Sequence, residues 1–183
     1  MKLRSRIPAN ACFGLILTAS APSIHAITPD RYAAVDVQID KSLPAWLTFY
    51  RSLHANPELS RQEKETARRM ADALDKLGLR VTTGIGGHGV VAIVENGEGP
   101  VVLVRADMDA LPITEETGLS YASKVVQAQA DGTSVGVMHA CGHDVHMATL
   151  IGTAQTLLSM KEAWRGTVLF VAQPAEETGQ GAR

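Results

Sequence analysis

The sequence predicts an α/β fold with a mixed sheet flanked by helices. Three observations predict it. Two helical stretches occupy residues 28–78, three short strand-like runs fill residues 79–107, and a helical stretch at 146–160 leads into another apolar run at 166–173. Helices and strands alternate, as in a sheet with helices packed on it.

The elements follow in order. Residues 28–60 read as helix, with Leu43, Trp46, Leu47, Tyr50 and Leu53 at three-to-four spacing and Pro57 as the stop. Residues 61–78 form a second amphipathic helix; Ser60 with Glu63 makes a capping box, and Gly78 suits the C-terminal stop. The strands are "LRVTT" (79–83), "GVVAIVE" (89–95) and "VVLVRAD" (101–107), the last nearly all apolar, as expected of a strand covered on both faces. "HMATLIGTAQTLLSM" (146–160) is a helix packed on the sheet, and "GTVLFVAQ" (166–173) a further buried strand. "GIGGHG", Gly84 to Gly89, matches the spacing of a dinucleotide fingerprint, but a strand follows it where a helix is required. A glycine-rich turn between strands is the expectation.

With 45% apolar and 20% charged residues over 183 positions, the composition is that of one globular domain. A net charge of −2, basic residues scattered along the chain and only 4% aromatics argue against a nucleic-acid partner. Residues 1–26 read as a cleavable secretory signal: basic "MKLRSR", apolar "ACFGLILTASA" too short to span a bilayer, and "SIHA" before a cut after Ala26. A buried N-terminal helix is the alternative. Cleavage would leave residues 27–183 as an exported domain, periplasmic or secreted, with no membrane segment. Cys12 would go with the signal, leaving Cys141 as a thiol with no internal disulfide partner.

Three short stretches carry chemistry. "MHACGHDVH" (138–146) holds His139, Cys141, His143, Asp144 and His146, the soft and borderline donors that suit a divalent ion such as zinc. Gly142 and the helix beyond it suggest a loop entering a helix N-terminus, which favours a thiolate. A buried cysteine with backbone-bonded histidines is the alternative. "QPAEET" (173–178) leaves a buried strand with Glu176 and Glu177 adjacent; in extended chain they point to opposite sides, one toward metal and one toward substrate. Alone, the pair could be a solvated acidic turn. "RADMDALP" (105–112) places Asp107 and Asp109 on one face at a strand exit, where α/β sheets bind ligands. Ordinary turn chemistry before Pro112 is its alternative. Together they supply ligands and a spare base, the parts of a metal-assisted hydrolase.

Read with "LHANPELS", the stretches "RADMDALPITEETGLSYASK", "VMHACGHDVHMA" and "QPAEETGQGAR" resemble the aminoacylase and carboxypeptidase class of metal-dependent amidohydrolases, in the branch of hippurate hydrolase and the indole-acetyl-amino-acid hydrolases. The resemblance runs from about residue 41 to the end. It implies the N-terminal half of a zinc-peptidase-like catalytic domain, with the lid and dimerisation domain and the downstream histidine ligands absent. It implies one or two divalent ions, zinc or manganese, with cobalt a further candidate. Cys141, His143 and Glu177 resemble the metal ligands, Glu176 the general base and Asp109 the aspartate that supports the site. The wider class has a histidine where Asp107 stands, so the role of Asp107 stays open. Asp107, His139, Asp144 and His146 are expected to surround the ligands, and His54 to be structural. The implied reaction is attack of an activated water on the amide of an N-acyl amino acid, releasing a carboxylic acid and an amino acid. Residues 27–183 alone are expected to be inactive, with exposed sheet edges, and a homodimer is expected only of the full-length form. A non-catalytic remnant or metal-binding module is the competing class, and a dipeptidase or carboxypeptidase differs only in substrate.

Overall fold

The computed structural model describes residues 29–182. The expected signal at 1–26, its cleavage site and Cys12 lie outside the described residues.

Helix α1 (Pro29–His54) ends three residues before Pro57, because the residue preceding a proline is pushed out of helical geometry. Leu53 is fully buried, whereas Leu43 and Leu47 stay exposed. Helix α2 (Lys64–Lys76) follows, and the expected capping box at its start does not form. Arg61 is left-handed (φ 69°) and turns the chain between the two residues concerned. Ser60 Oγ donates to Asp109 Oδ2 at 2.6 Å, and Glu63 Oε1 accepts from the Ala175 amide at 2.7 Å. The Glu58 carboxylate caps the helix in their place, accepting from the amides of Glu65 (3.1 Å) and Thr66 (2.7 Å). At the other end Gly78 takes the left-handed conformation a C-terminal stop requires (φ 79°).

Strands β1 (Arg80–Ile85) and β2 (Gly89–Asn96) form an antiparallel hairpin, with Gly86 and Gly87 at positive φ in its turn. The glycine-rich stretch is therefore a hairpin connection, with no helix at its end. Next comes β3 (Val101–Asp107), then a small antiparallel pair, β4 (Val126–Ala128) and β5 (Ser134–Gly136), that hydrophobic periodicity did not predict. Helix α3 (His143–Ser159) begins three residues earlier than its apolar periodicity suggests, so His143 itself opens the helix. A single 3-10 turn (Lys161–Ala163) leads to β6 (Gly166–Gln173). The main sheet runs β1-β2-β6-β3; β6 pairs antiparallel with β2 and parallel with β3.

One apolar core joins the sheet to the helices. Val90, Ala92 and Val94 of β2 and Val168, Phe170 and Ala172 of β6 meet Met70 and Leu74 of α2 and Met147, Leu150 and Ala154 of α3. The alternate residues of β6 are only half-buried, so the described helices cover one face of the sheet. Helix α1 lies outside α3, where Trp46 packs on Gly152 and donates to Gln155 at 2.9 Å. The expectation for β3 needs correction. It stands at the sheet edge, paired with β6 alone among the described residues, and Val101, Val102 and Leu103 are 70%, 49% and 59% exposed. Its apolar run records a strand made to be covered, but no described element covers that face.

The register of β3 on β6 positions the chemistry. Asp107 lies opposite Gln173, and the Met108 amide donates to the Gln173 carbonyl at 2.9 Å. Parallel neighbours end side by side, so segments 107–109 and 174–177 emerge together at the C-terminal ends of their strands. Helix α3 opens beside them with His143.

Candidate metal centre

His143 is the hub of the site. It is buried at the first position of α3. Gly142, immediately before it, has φ 82°, a conformation that lets Cys141 and His143 flank a sharp turn and that L side chains rarely adopt. His143 Nδ1 donates to the Asp109 carbonyl at 2.8 Å, which leaves Nε2 as the free ring nitrogen. Around Nε2 stand Asp107 Oδ2 at 3.6 Å, Glu176 Oε2 at 3.7 Å and Glu177 Oε1 at 3.7 Å. The donor atoms of Cys141, His143 and Glu177 all lie within 4.8 Å of one another, and so do those of Asp107, His143 and His146.

The two groups share His143, whose one free nitrogen serves one ion. Their other members differ in what already satisfies them. Asp107 Oδ1 is held by His146 Nδ1 at 2.6 Å, and Asp107 Oδ2 lies 3.4 Å from Arg105. Glu177 Oε1 is buried with no hydrogen-bond partner among the described residues. A buried, unpaired carboxylate oxygen is costly unless a cation or donor meets it. Thiolate, imidazole and carboxylate at this spacing fit a borderline divalent ion, and the Asp109 carbonyl fixes the imidazole from behind, as such ions require.

Without a metal ion, the surrounding carboxylates favour a positive charge at His143. Burial alone would lower the basicity of His143, but its hydrogen bond to Asp109 and the charge of Asp107 outweigh it and raise the ring to about 9. Burial would raise Asp109, yet His143, Ser60 and the backbone amides of Glu177 and Glu176 together hold it at about 2. The Cys141 thiol is pushed up by the neighbouring Glu177 carboxylate first, and then by burial and by Glu176 and Asp107. Without a cation, Glu177, Glu176 and Asp107 act against the expected thiolate. A divalent ion held by Cys141, His143 and Glu177 would reverse that balance and favour the thiolate.

Glu176 and Glu177 also differ from expectation. They lie in a turn, set by a left-handed Ala175 (φ 52°), and both approach the same nitrogen of His143 instead of pointing to opposite sides. Glu177 is the more enclosed, at 21% side-chain exposure against 39% for Glu176. Its amide donates to Asp109 Oδ2 at 2.9 Å.

The other predicted residues stand apart. His139 is buried with neither ring nitrogen bonded among the described residues, and burial lowers it to about 4. Asp144 makes no polar contact with Cys141, His143 or Glu177; its Oδ2 holds His54 Nδ1 at 2.7 Å. His54 also meets Glu115 Oε1 at 3.1 Å, a buried triad that ties α1 to the start of α3. Ser60, Glu63 and Glu115 were missed as participants. For Ser60 and Glu63 the signal was present and misassigned, since a serine three residues before a glutamate reads equally well as a helix cap.

With this geometry in view, the chain compares with known proteins as follows. Residues 103–183 match the model of Peptidase family M20/M25/M40. The N-acetylcysteine deacetylase of Bacillus subtilis is 47% identical over 143 residues, covering 75% of this chain and 34% of that protein. The IAA-amino acid hydrolase ILR1-like 6 of Arabidopsis thaliana is 42% identical over 140 residues, covering 76% of this chain and 28% of that protein. The crystal structure of the Bacillus subtilis YXEP protein, a dinuclear metal-binding peptidase of the M20 family, superposes with a TM-score of 0.65 at 40% identity, covering 83% of this chain and 38% of the other. The chain thus spans about a third of the length of the curated relatives it matches.

Proposed function

We propose, for a chain that belongs to the M20 class of metal-dependent amidohydrolases, that the whole protein hydrolyses the amide bond of N-acyl amino acids. Cys141, His143 and Glu177 are the metal ligands in this reading, and Glu176 is the general base. Zinc best suits the thiolate and imidazole donors; manganese, and a second ion, rest on the family resemblance. The observation that carries the reading is the unpartnered, buried Glu177 oxygen 3.7 Å from His143 Nε2, with Glu176 equally near and more exposed.

A bound divalent ion supplies Lewis-acid polarisation of the amide carbonyl and makes water acidic enough to attack near neutral pH. The chain's own residues do the rest. Asp109 anchors the His143 ring through its carbonyl and the Glu177 amide through its carboxylate, so one residue sets two ligands. Glu176 takes the proton of the attacking water at its exposed carboxylate and delivers it to the leaving amine, worth about 10²- to 10⁴-fold in rate. The substrate class rests on the relatives' names, which speak of IAA-amino acids and N-acetylcysteine. Export, with the enzyme acting in the periplasm or outside the cell, rests on the basic and apolar N-terminal segment.

The test is an assay of the whole protein, loaded with zinc or manganese, against hippurate, N-acetylcysteine and an indole-acetyl-amino acid. The expected result is turnover of at least one, lost in Glu176→Gln while the metal content is retained. Unchanged turnover in that variant, or hydrolysis of none of the three, overturns the reading.

A further inference from the structure

Glu63 has no part in the chemistry described so far, yet it is a carboxylic acid with no solvent exposure. Burying a carboxyl is unfavourable, and an apolar side chain would fill the same space without that penalty. Helix capping does not explain it, because Glu58 caps α2. Among the described residues its one side-chain hydrogen bond is to the Ala175 amide, at 2.7 Å, and its second oxygen has no partner.

Ala175 explains why that bond is useful. It is a non-glycine residue at φ 52° directly before Glu176 and Glu177. Such a conformation persists only where its surroundings over-determine it. Here the amide is held by Glu63, and the carbonyl accepts from Gln180 (3.1 Å), Gly181 (3.2 Å) and Thr178 Oγ1 (3.3 Å). Two residues on, the Glu177 amide is held by Asp109, which is itself bonded by Ser60. The loop over residues 58–63 therefore grips both acidic segments of the site, Asp109 through Ser60 and the Glu176–Glu177 turn through Glu63.

We infer that Glu63 is a positioning residue: its buried carboxyl holds the Ala175 amide, keeps that residue left-handed, and so aims Glu176 and Glu177 at His143. The inference rests on the reading of Glu176 as base and Glu177 as ligand.

The test compares Glu63→Leu and Glu63→Gln in the whole protein by kinetics and by crystal structures of the metal-free forms. Leucine keeps the volume and removes the acceptor. Glutamine keeps an acceptor oxygen at the Oε1 position and displaces no existing bond of the other oxygen. A displacement near 1 Å can lower a rate by about 100-fold. The leucine variant should lose kcat on that order with KM little changed, and its 174–178 turn should be displaced. Glutamine should stay within a few-fold of wild type. Adding Ala175→Gly to the leucine variant should restore part of kcat, because glycine takes the left-handed conformation without strain. An unmoved turn with wild-type kcat in the leucine variant overturns the inference. So does equal damage in the glutamine variant, or no recovery in the double variant, which also decides the matter if the single leucine variant fails to fold. If the wild-type protein hydrolyses no N-acyl amino acid, the proposed function falls, and the position of the turn alone decides the role of Glu63.

Discussion

Removing His54 should destabilise the protein strongly. His54 is 5% exposed and lies between two buried carboxylates, Asp144 at 2.7 Å and Glu115 at 3.1 Å. Glu115 is further held by the Thr117 hydroxyl and the Ser123 amide. His54→Leu keeps much of the volume but leaves Asp144 and Glu115 buried without their shared cation. Breaking a buried pair from one side costs about 3–5 kcal/mol, chiefly through the charge left behind. The pH dependence has a definite sign. Burial lowers the basicity of His54, but hydrogen bonds and charge from Asp144 and Glu115 win, so its folded pKa is raised. A raised histidine pKa gives stability that is fully present below the unfolded value, about 6.5, and is lost as pH rises through the folded value. Urea unfolding of wild type and His54→Leu at a series of pH values measures both effects. The loss should be largest near pH 6 and shrink on the alkaline side. A loss below about 1 kcal/mol at pH 6, the scale of an exposed pair, or a loss that grows with pH, would refute the reasoning.

Three further outcomes can be checked in the same way. Glu58→Ala should cost about 1 kcal/mol by uncapping α2, while Ser60→Ala leaves the helix end intact; chemical denaturation and helical circular dichroism distinguish the two. Gly142→Ala meets no atom within 4 Å, so its penalty is backbone strain alone at φ 82°, about 1–2 kcal/mol, read as a lowered urea midpoint. Asp109 is held at about 2, below its ordinary value of 3.8. The stability it contributes is present above the unfolded value and lost as pH falls through about 2, and amounts to about 2 kcal/mol. Metal-free Asp109→Asn should therefore show a shallower acid unfolding curve than wild type.

How much of this was legible in the sequence depended on the range of the interaction. The amphipathic periodicity of α2, the stop at Gly78 and the hairpin at Gly84–Gly89 are local, and they appear where expected. The clustering of Cys141 and His143 was legible because two donors two residues apart, separated by a glycine, need only one turn to converge. The direction of Glu176 and Glu177 was not, because it is set by a left-handed Ala175 whose amide is held by a residue 112 positions earlier in the chain. Ser60 and Glu63 show the same limit. Their spacing satisfies a local rule, and two partners distant in sequence, Asp109 and Ala175, outcompete it. The β3 run misled for a related reason. Its apolarity states that the strand is to be covered, which is a property of its surroundings, whereas the described residues leave Val101 to Leu103 exposed.

Cys141, His143 and Glu177 are proposed to form one metal-binding group. X-ray absorption at the metal edge of the zinc-loaded whole protein tests it most directly. The account predicts a sulfur neighbour at about 2.3 Å, lost in Cys141→Ser together with much of the metal affinity. A shell of nitrogen and oxygen alone in the wild-type protein would contradict it and move the ion to Asp107, His143 and His146.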